Sequence, residues 1–154
     1  MSQASSPASG SLIETPDPFP LGTDGWRGVI ANGCTFDRIR RLAGAFATVY
    51  PTLSEGDRRR VVVGFDTRFY SPEFARAAAD VLADSGLEVL LADRPIPTPA
   101  VSFHVRRLGL AGGVSITASH NPSPYNGFKI KAHFGGSAPP ALYEEVARAL
   151  RSPT

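Results

Sequence analysis

The sequence predicts an α/β domain, a three-layer α/β/α sandwich around a mainly parallel (mixed) sheet, and three observations carry that prediction. Short apolar runs rich in β-branched residues alternate with segments of helical periodicity. The 154 residues suit one compact domain of about 100 to 200 residues and leave no room for several. Hydrophobic residues make up 42% and charged residues 19%, enough to fill a core and unlike the apolar-poor composition of disordered chains.

The opening MSQASSPASGSLIETPDPFP, residues 1–20, is rich in Ser, Pro, Gly and Ala with little to bury, so it is expected to be a flexible arm ahead of a domain over 21–154. Phe36, Ile39, Leu42, Ala43, Phe46 and Val49 recur at helical spacing, with Thr35 or Asp37 as cap and Pro51 beyond the helix end. Val61 to Phe65 reads as a buried strand. Ser71 as N-cap with Pro72 at the first helical position opens a helix through Leu82 to a stop at Gly86. Leu87 to Ala92 is the next strand, Pro99 to Leu108 a short helix and Gly113 to Thr117 another strand. From Gly127 to Ala132, Phe128, Ile130 and Ala132 alternate with Lys129 and Lys131, a strand with one apolar face. Leu142 to Leu150 closes the chain as a helix. Parallel strands joined through helices place helices on both faces of the sheet.

Lys and Arg number 16 against 14 Asp and Glu, a net charge of +2, with Lys129 and Lys131 the only lysines; that balance argues against a nucleic-acid partner. No stretch approaches the roughly 20 apolar residues of a membrane span, and the start lacks a signal-peptide layout, so a cytoplasmic protein with no membrane partner is expected. The single cysteine, Cys34, can form neither an internal disulfide nor a cysteine metal cage and reads as packing.

In α/β sheets, ligands meet the loops beyond the carboxyl ends of the strands. Thr117-Ala118-Ser119-His120-Asn121-Pro122 falls just after a predicted strand, where Pro122 and Pro124 stiffen the turn. A serine that takes part in nucleophilic or phosphoryl chemistry needs exposure, a proton acceptor and positive charge nearby, which His120 and Lys129 can supply. The bland alternative is an ordinary Ser/Asn/Pro loop. His104, in a helix, and His133, at a strand end, read as surface or core residues, and no His/Cys/Asp/Glu spacing resembles a metal site. In Gly22-Thr23-Asp24-Gly25-Trp26-Arg27-Gly28 the glycines permit unusual backbone conformations, and Arg27 can grip a phosphate or carboxylate with its planar fork. The alternative there is a hairpin or β-bulge with a solvated Arg27, and Trp26 reads as a core anchor. Asp66 is expected to cap turn amides or pair with Arg68, tying one strand-end loop to the others. Pro95-Ile96-Pro97-Thr98-Pro99 is a rigid lead-in to the following helix.

Taken together and in order, GTDGWRG, GFDTRFYSPEF, PIPTPAVSF and TASHNPSPYNGFK resemble the N-terminal domain of the α-D-phosphohexomutases, the phosphoglucomutase/phosphomannomutase family. The likeness runs from about Leu21 to Phe134. It implies that Ser119 is the phosphoserine, which donates its phosphoryl group to a hexose phosphate; the resulting bisphosphorylated sugar reorients and returns its other phosphate. By the same resemblance Lys129 is the basic group beside the phosphoserine, His120 contacts the reacting sugar or phosphate, and Arg27 lies near the acid-base machinery. Phosphoryl transfer depends mainly on alignment and charge neutralisation, and the resemblance implies Mg²⁺ in the complete enzyme, with Ser119 as one of its ligands. Two departures stand out. Phe19-Pro20-Leu21-Gly22 replaces the family's usual Phe directly before Gly. The family enzyme also has four domains, and the aspartate-rich Mg²⁺ loop, the sugar-selecting loop and the distal phosphate clamp fall outside this one, so the chain alone is expected to bind Mg²⁺ weakly or not at all and to turn over little. Its expected partners are a hexose phosphate and the remaining mutase domains or a complementary chain, with self-association left open. A non-enzymatic interaction or regulatory module that keeps the fold is the second reading. A serine hydrolase is the third, and it lacks a G-x-S-x-G elbow.

Overall fold

The computed structural model describes residues 21–22, 24–53 and 59–151, with main chain alone at 51–53; the arm expected over 1–20 lies outside them. These residues form β1 (Trp26–Val29), α1 (Phe36–Leu53), β2 (Arg60–Phe65), α2 (Ser71–Asp84), β3 (Glu88–Leu91), α3 (Thr98–Arg107), β4 (Gly112–Ile116), β5 (Tyr125–Lys131) and α4 (Pro140–Arg151). The strands make one sheet in the order β1-β5-β4-β2-β3. β2 pairs in parallel with β3 and β4, whereas β5 runs antiparallel to both β4 and β1. The sheet is therefore mixed, its parallel half joined through helices as the alternating sequence pattern requires.

Side-chain alternation decides which layer each strand faces. Val61, Val63, Val114, Ile116, Phe128 and Ile130 share one core with Ile39, Leu42 and Phe46 of α1, Phe74 and Leu82 of α2, and Leu142 and Val146 of α4. Val62 points the opposite way, into a smaller core with Val101 and Val105 of α3 and Leu110. The three layers follow, with α3 on one face and the other helices opposite. Trp26 is buried in the larger core as expected, and so is Cys34, whose thiol is pushed up to about 12 by that burial.

Three local expectations change. Residues 26–29, part of a run for which a hairpin or β-bulge is the alternative reading, form an edge strand; Trp26 faces the core while Arg27, opposite Gly127, takes the other face. Helix α1 runs through Pro51 to Leu53, so its last turn continues past a residue that has no amide to offer the carbonyl four positions back. Its start is as read, with the Arg38 amide donating to Thr35 Oγ1 at 3.3 Å. Ser71 does not cap α2: Tyr70 stands at the cap position with φ 61° and makes no side-chain cap bond. The Ser71 hydroxyl instead donates to Asp66 Oδ1 at 2.7 Å and accepts from Asn126 Nδ2 at 2.9 Å, so burial has turned a capping residue into a tertiary link.

Candidate phosphoryl-transfer site

The loop 117–124 leaves the carboxyl end of β4 and returns as β5. Ser119 adopts φ 55°, left-handed backbone that L-residues avoid unless their surroundings hold them there. The holding is visible. The Ser119 amide donates to Thr117 Oγ1 at 3.0 Å. From the end of β2, Arg68 spreads its guanidinium over four main-chain carbonyls of this loop: Ser119 at 2.9 Å, Asn121 at 2.6 Å, Pro122 at 2.9 Å and Tyr125 at 3.0 Å. Asp66 balances the charge on Arg68 at 3.3 Å and accepts the Arg68 amide at 3.0 Å. The cap and the pairing expected of Asp66 are both present, and the pair does fasten one strand-end loop to another.

Ser119 Oγ lies 3.1 Å from Nδ1 of the exposed His120, within hydrogen-bond reach, the direction set by the imidazole tautomer. Asn121 extends the loop toward β1, accepting through Oδ1 from Arg27 Nη1 at 3.1 Å. Arg27 Nη2 is 3.6 Å from Asp24 Oδ2, and the same oxygen receives Lys129 Nζ at 2.5 Å. The expected residues thus fall into two pairs, Ser119 with His120 and Arg27 with Lys129, linked through Asn121 and Asp24.

The second pair is possible only because the backbones come very close. Gly25 has φ +100°, and a Cβ there would meet Phe128 O at 2.5 Å, so a side chain at this position would push the turn off β5. With glycine in place, Asp24 reaches the basic face of β5. Lys129 is 6% exposed and Lys131 7%; charges this deep need partners. Asp24 supplies them, accepting Ser137 Oγ at 3.2 Å as well, while Lys131 Nζ donates to that same hydroxyl at 3.2 Å. Burial pushes the Asp24 carboxyl up, but Lys129, Ser137 and Lys131 outweigh it and hold the group below its usual 3.8. Lys131 is held below its usual 10.5, first by burial and then by the charge of Lys129, against the pull of Asp24.

Asp24, Arg68, Asn121, Lys131 and Ser137 were not singled out as site residues from sequence. Asp24 and Asn121 lie inside the two sharpest motifs, and Lys131 shares the β5 alternation with Lys129; Ser137 gives no sequence signal. His104 and His133 are exposed on α3 and on the turn after β5, in keeping with a surface role. The donor set does not make a Mg²⁺ site by itself. Among the described residues no group of three His, Cys, Asp or Glu side chains could hold a metal, and Asp24 and Asp66 are committed to basic partners, which leaves Ser119 as one oxygen donor for an ion that takes about six. No described helix is long and apolar enough to cross a membrane.

Residues 20–154 match the family model described as phosphoglucomutase/phosphomannomutase, alpha/beta/alpha domain I. A phosphoglucosamine mutase from Moorella thermoacetica is 41% identical over 133 residues, 86% of this chain and 29% of that protein. A phosphoglucomutase from Staphylococcus saprophyticus is 43% identical over 96 residues, 62% of this chain and 17% of that protein. A Thermus thermophilus structure assigned as a phosphomannomutase superposes with a TM-score of 0.82 at 43% identity, covering 88% of this chain and 30% of that one. The chain therefore spans less than a third of the length of these relatives.

Proposed function

The chain belongs to the phosphoglucomutase/phosphomannomutase family as its α/β/α domain I, and from that premise we propose that it is the phosphoserine-bearing part of a hexose-phosphate mutase. The observation that carries the reading is the loop at Ser119, a strained serine pinned by Arg68 with a histidine nitrogen 3.1 Å from its hydroxyl. A pinned loop keeps the phosphoryl group in line with its acceptor, which is the main demand of this chemistry.

In the proposed reaction the bond between Ser119 Oγ and phosphorus breaks while a sugar hydroxyl forms a new one, and the hydroxyl's proton ends on the released Ser119 Oγ. The bisphosphorylated sugar turns over and returns its other phosphate to Ser119. His120 holds or passes the proton at Oγ. Arg27 and Lys129 neutralise phosphate charge. Mg²⁺ would screen charge on the transferring group when bound; among the described residues Ser119 is the donor this chain would offer it, so weak binding is expected and the other ligands would come from the remainder of the mutase. Phe103 and Phe134, 61% and 48% exposed, line one surface cleft, an apolar patch of the kind a neighbouring domain covers, which favours the mutase part over a self-contained module.

Conversion of glucose 1-phosphate to glucose 6-phosphate, with Mg²⁺ and a hexose bisphosphate primer, tests this division of labour. The chain alone is expected to turn over no faster than Ser119→Ala. Robust turnover by the parent, lost in Ser119→Ala, would show instead that one domain is enough.

A further inference from the structure

We propose that the Asp24 carboxylate is an internal counter-anion: in the free chain it stands where a phosphate of the substrate binds among Arg27, Lys129 and Ser137, and it positions those groups until the phosphate replaces it. The inference rests on the phosphate-handling role proposed above and assigns to Asp24 a part that none of the site motifs gives it.

Both oxygens of Asp24 are met by the donors a phosphate would use. Oδ2 faces Lys129 Nζ at 2.5 Å and Arg27 Nη2 at 3.6 Å, and Oδ1 accepts Ser137 Oγ at 3.2 Å. Two cations and a hydroxyl converging on one anion make a phosphate-binding set as readily as a carboxylate-binding one. The cluster carries a surplus of positive charge. Among the described residues Arg27, Lys129 and Lys131 face one carboxylate, Asp24, and both lysines are buried. A phosphate dianion in the carboxylate's place meets more of that charge than Asp24 does.

Access fits as well. The Lys129 side chain is 8% exposed but that of Asp24 is 45%, so a solute reaches Asp24, together with the exposed Arg27 and Ser137, ahead of the buried lysine. Gly25 lets its turn lie close against β5, where a Cβ would meet the Phe128 carbonyl oxygen. Arg27 already divides its guanidinium between Asp24 and Asn121 of the Ser119 loop, so an anion that displaces Asp24 leaves Arg27 spanning it and the phosphoserine loop.

This role is distinguished from a purely structural one by its sign. A structural residue weakens anion binding when removed, whereas removal of a competing anion strengthens it. Inorganic phosphate is titrated into the parent chain, Asp24→Asn and Asp24→Glu at constant ionic strength, with the main-chain amides of Ser119, Gly25 and Lys129 followed by NMR. Asp24→Asn is expected to bind phosphate about fivefold more tightly, as expected when about 1 kcal/mol of competition is lifted, while Asp24→Glu stays near the parent. Thermal unfolding supplies the second readout. The Tm lost in Asp24→Asn is expected to be recovered by phosphate and not by chloride at equal ionic strength; if the variant folds only in phosphate, that supports the proposal, and if it folds in neither salt, that contradicts it. Equal or weaker phosphate binding by Asp24→Asn overturns the counter-anion role alone. No phosphate response in parent or variant overturns both that role and the phosphate-handling reading beneath it.

Discussion

Ser119 sits in left-handed backbone, φ 55°, at a cost of roughly 1–2 kcal/mol for an L-residue, and the arginine that stabilises this conformation comes from a different strand end. Replacing Ser119 by Ala keeps that backbone and deletes an oxygen, so equilibrium denaturation is expected to show a change within about 0.5 kcal/mol. Glycine is relieved of the strain and is expected to raise stability by up to about 1 kcal/mol; a loss of more than that in Ser119→Gly would mean the hydroxyl itself carries structure. Arg68→Ala is a different case, because four carbonyls lose a charged donor together and Asp66 loses its counter-charge. A loss of about 3 kcal/mol is expected, with Arg68→Lys recovering little because an ammonium lacks the fork. Sequence reasoning reached Asp66 with Arg68 because they are two positions apart. It could not reach the carbonyls 51 to 57 residues further on, since acceptors on the main chain leave no trace in side-chain identity.

Among the elements, legibility followed burial and length. β2 and β4 are buried throughout apart from Arg60 at the start of β2, and their apolar runs were readable from sequence; the paired lysines of β5 gave away its two faces. β1 was not readable because four residues, one of them glycine, carry too little alternation to separate an edge strand from a turn. What makes β1 a strand lies in β5, where Gly127 lets the chains close up: a Cβ at that position would run into the carbonyl oxygen of Trp26. Gly127→Ala is therefore expected to cost about 2 kcal/mol or more through this overlap and to separate Arg27 from Asn121, seen as exchange broadening of the β1 amides. Unbroadened β1 amides with parent-like stability would show that the edge strand tolerates the side chain.

Across the whole molecule, charge and burial set the pH range of stability. The Asp24 carboxyl is held below 3.8 in the folded chain, so its contribution is present above that value and is lost as pH falls through the lowered one. At the alkaline end the signs reverse. Burial pushes the Cys34 thiol from 9.0 up to about 12 and the Tyr143 hydroxyl from 10.0 up to about 12, so the unfolded chain releases these protons first and stability falls as pH rises past 9. Cys34→Ala is expected to move the onset of that loss toward pH 10, where Tyr143 begins to titrate in the unfolded chain; an unchanged onset would show that Cys34 is not its source. The layered architecture and the position of the serine loop were legible because both follow from local patterns and from the family motifs. The electrostatic centre at Asp24 was not, since Asp24 lies more than a hundred positions from Lys129 and Ser137 and only the folded sheet brings them together.

As proposed, Ser119 is the residue of this chain that carries phosphate. The most direct measurement is peptide mapping by mass spectrometry after incubation of the purified chain with a hexose bisphosphate, beside Ser119→Ala treated in the same way. A single phosphate is expected on the peptide that holds Ser119 and none in the variant; phosphate at an unchanged level in Ser119→Ala would overturn the assignment.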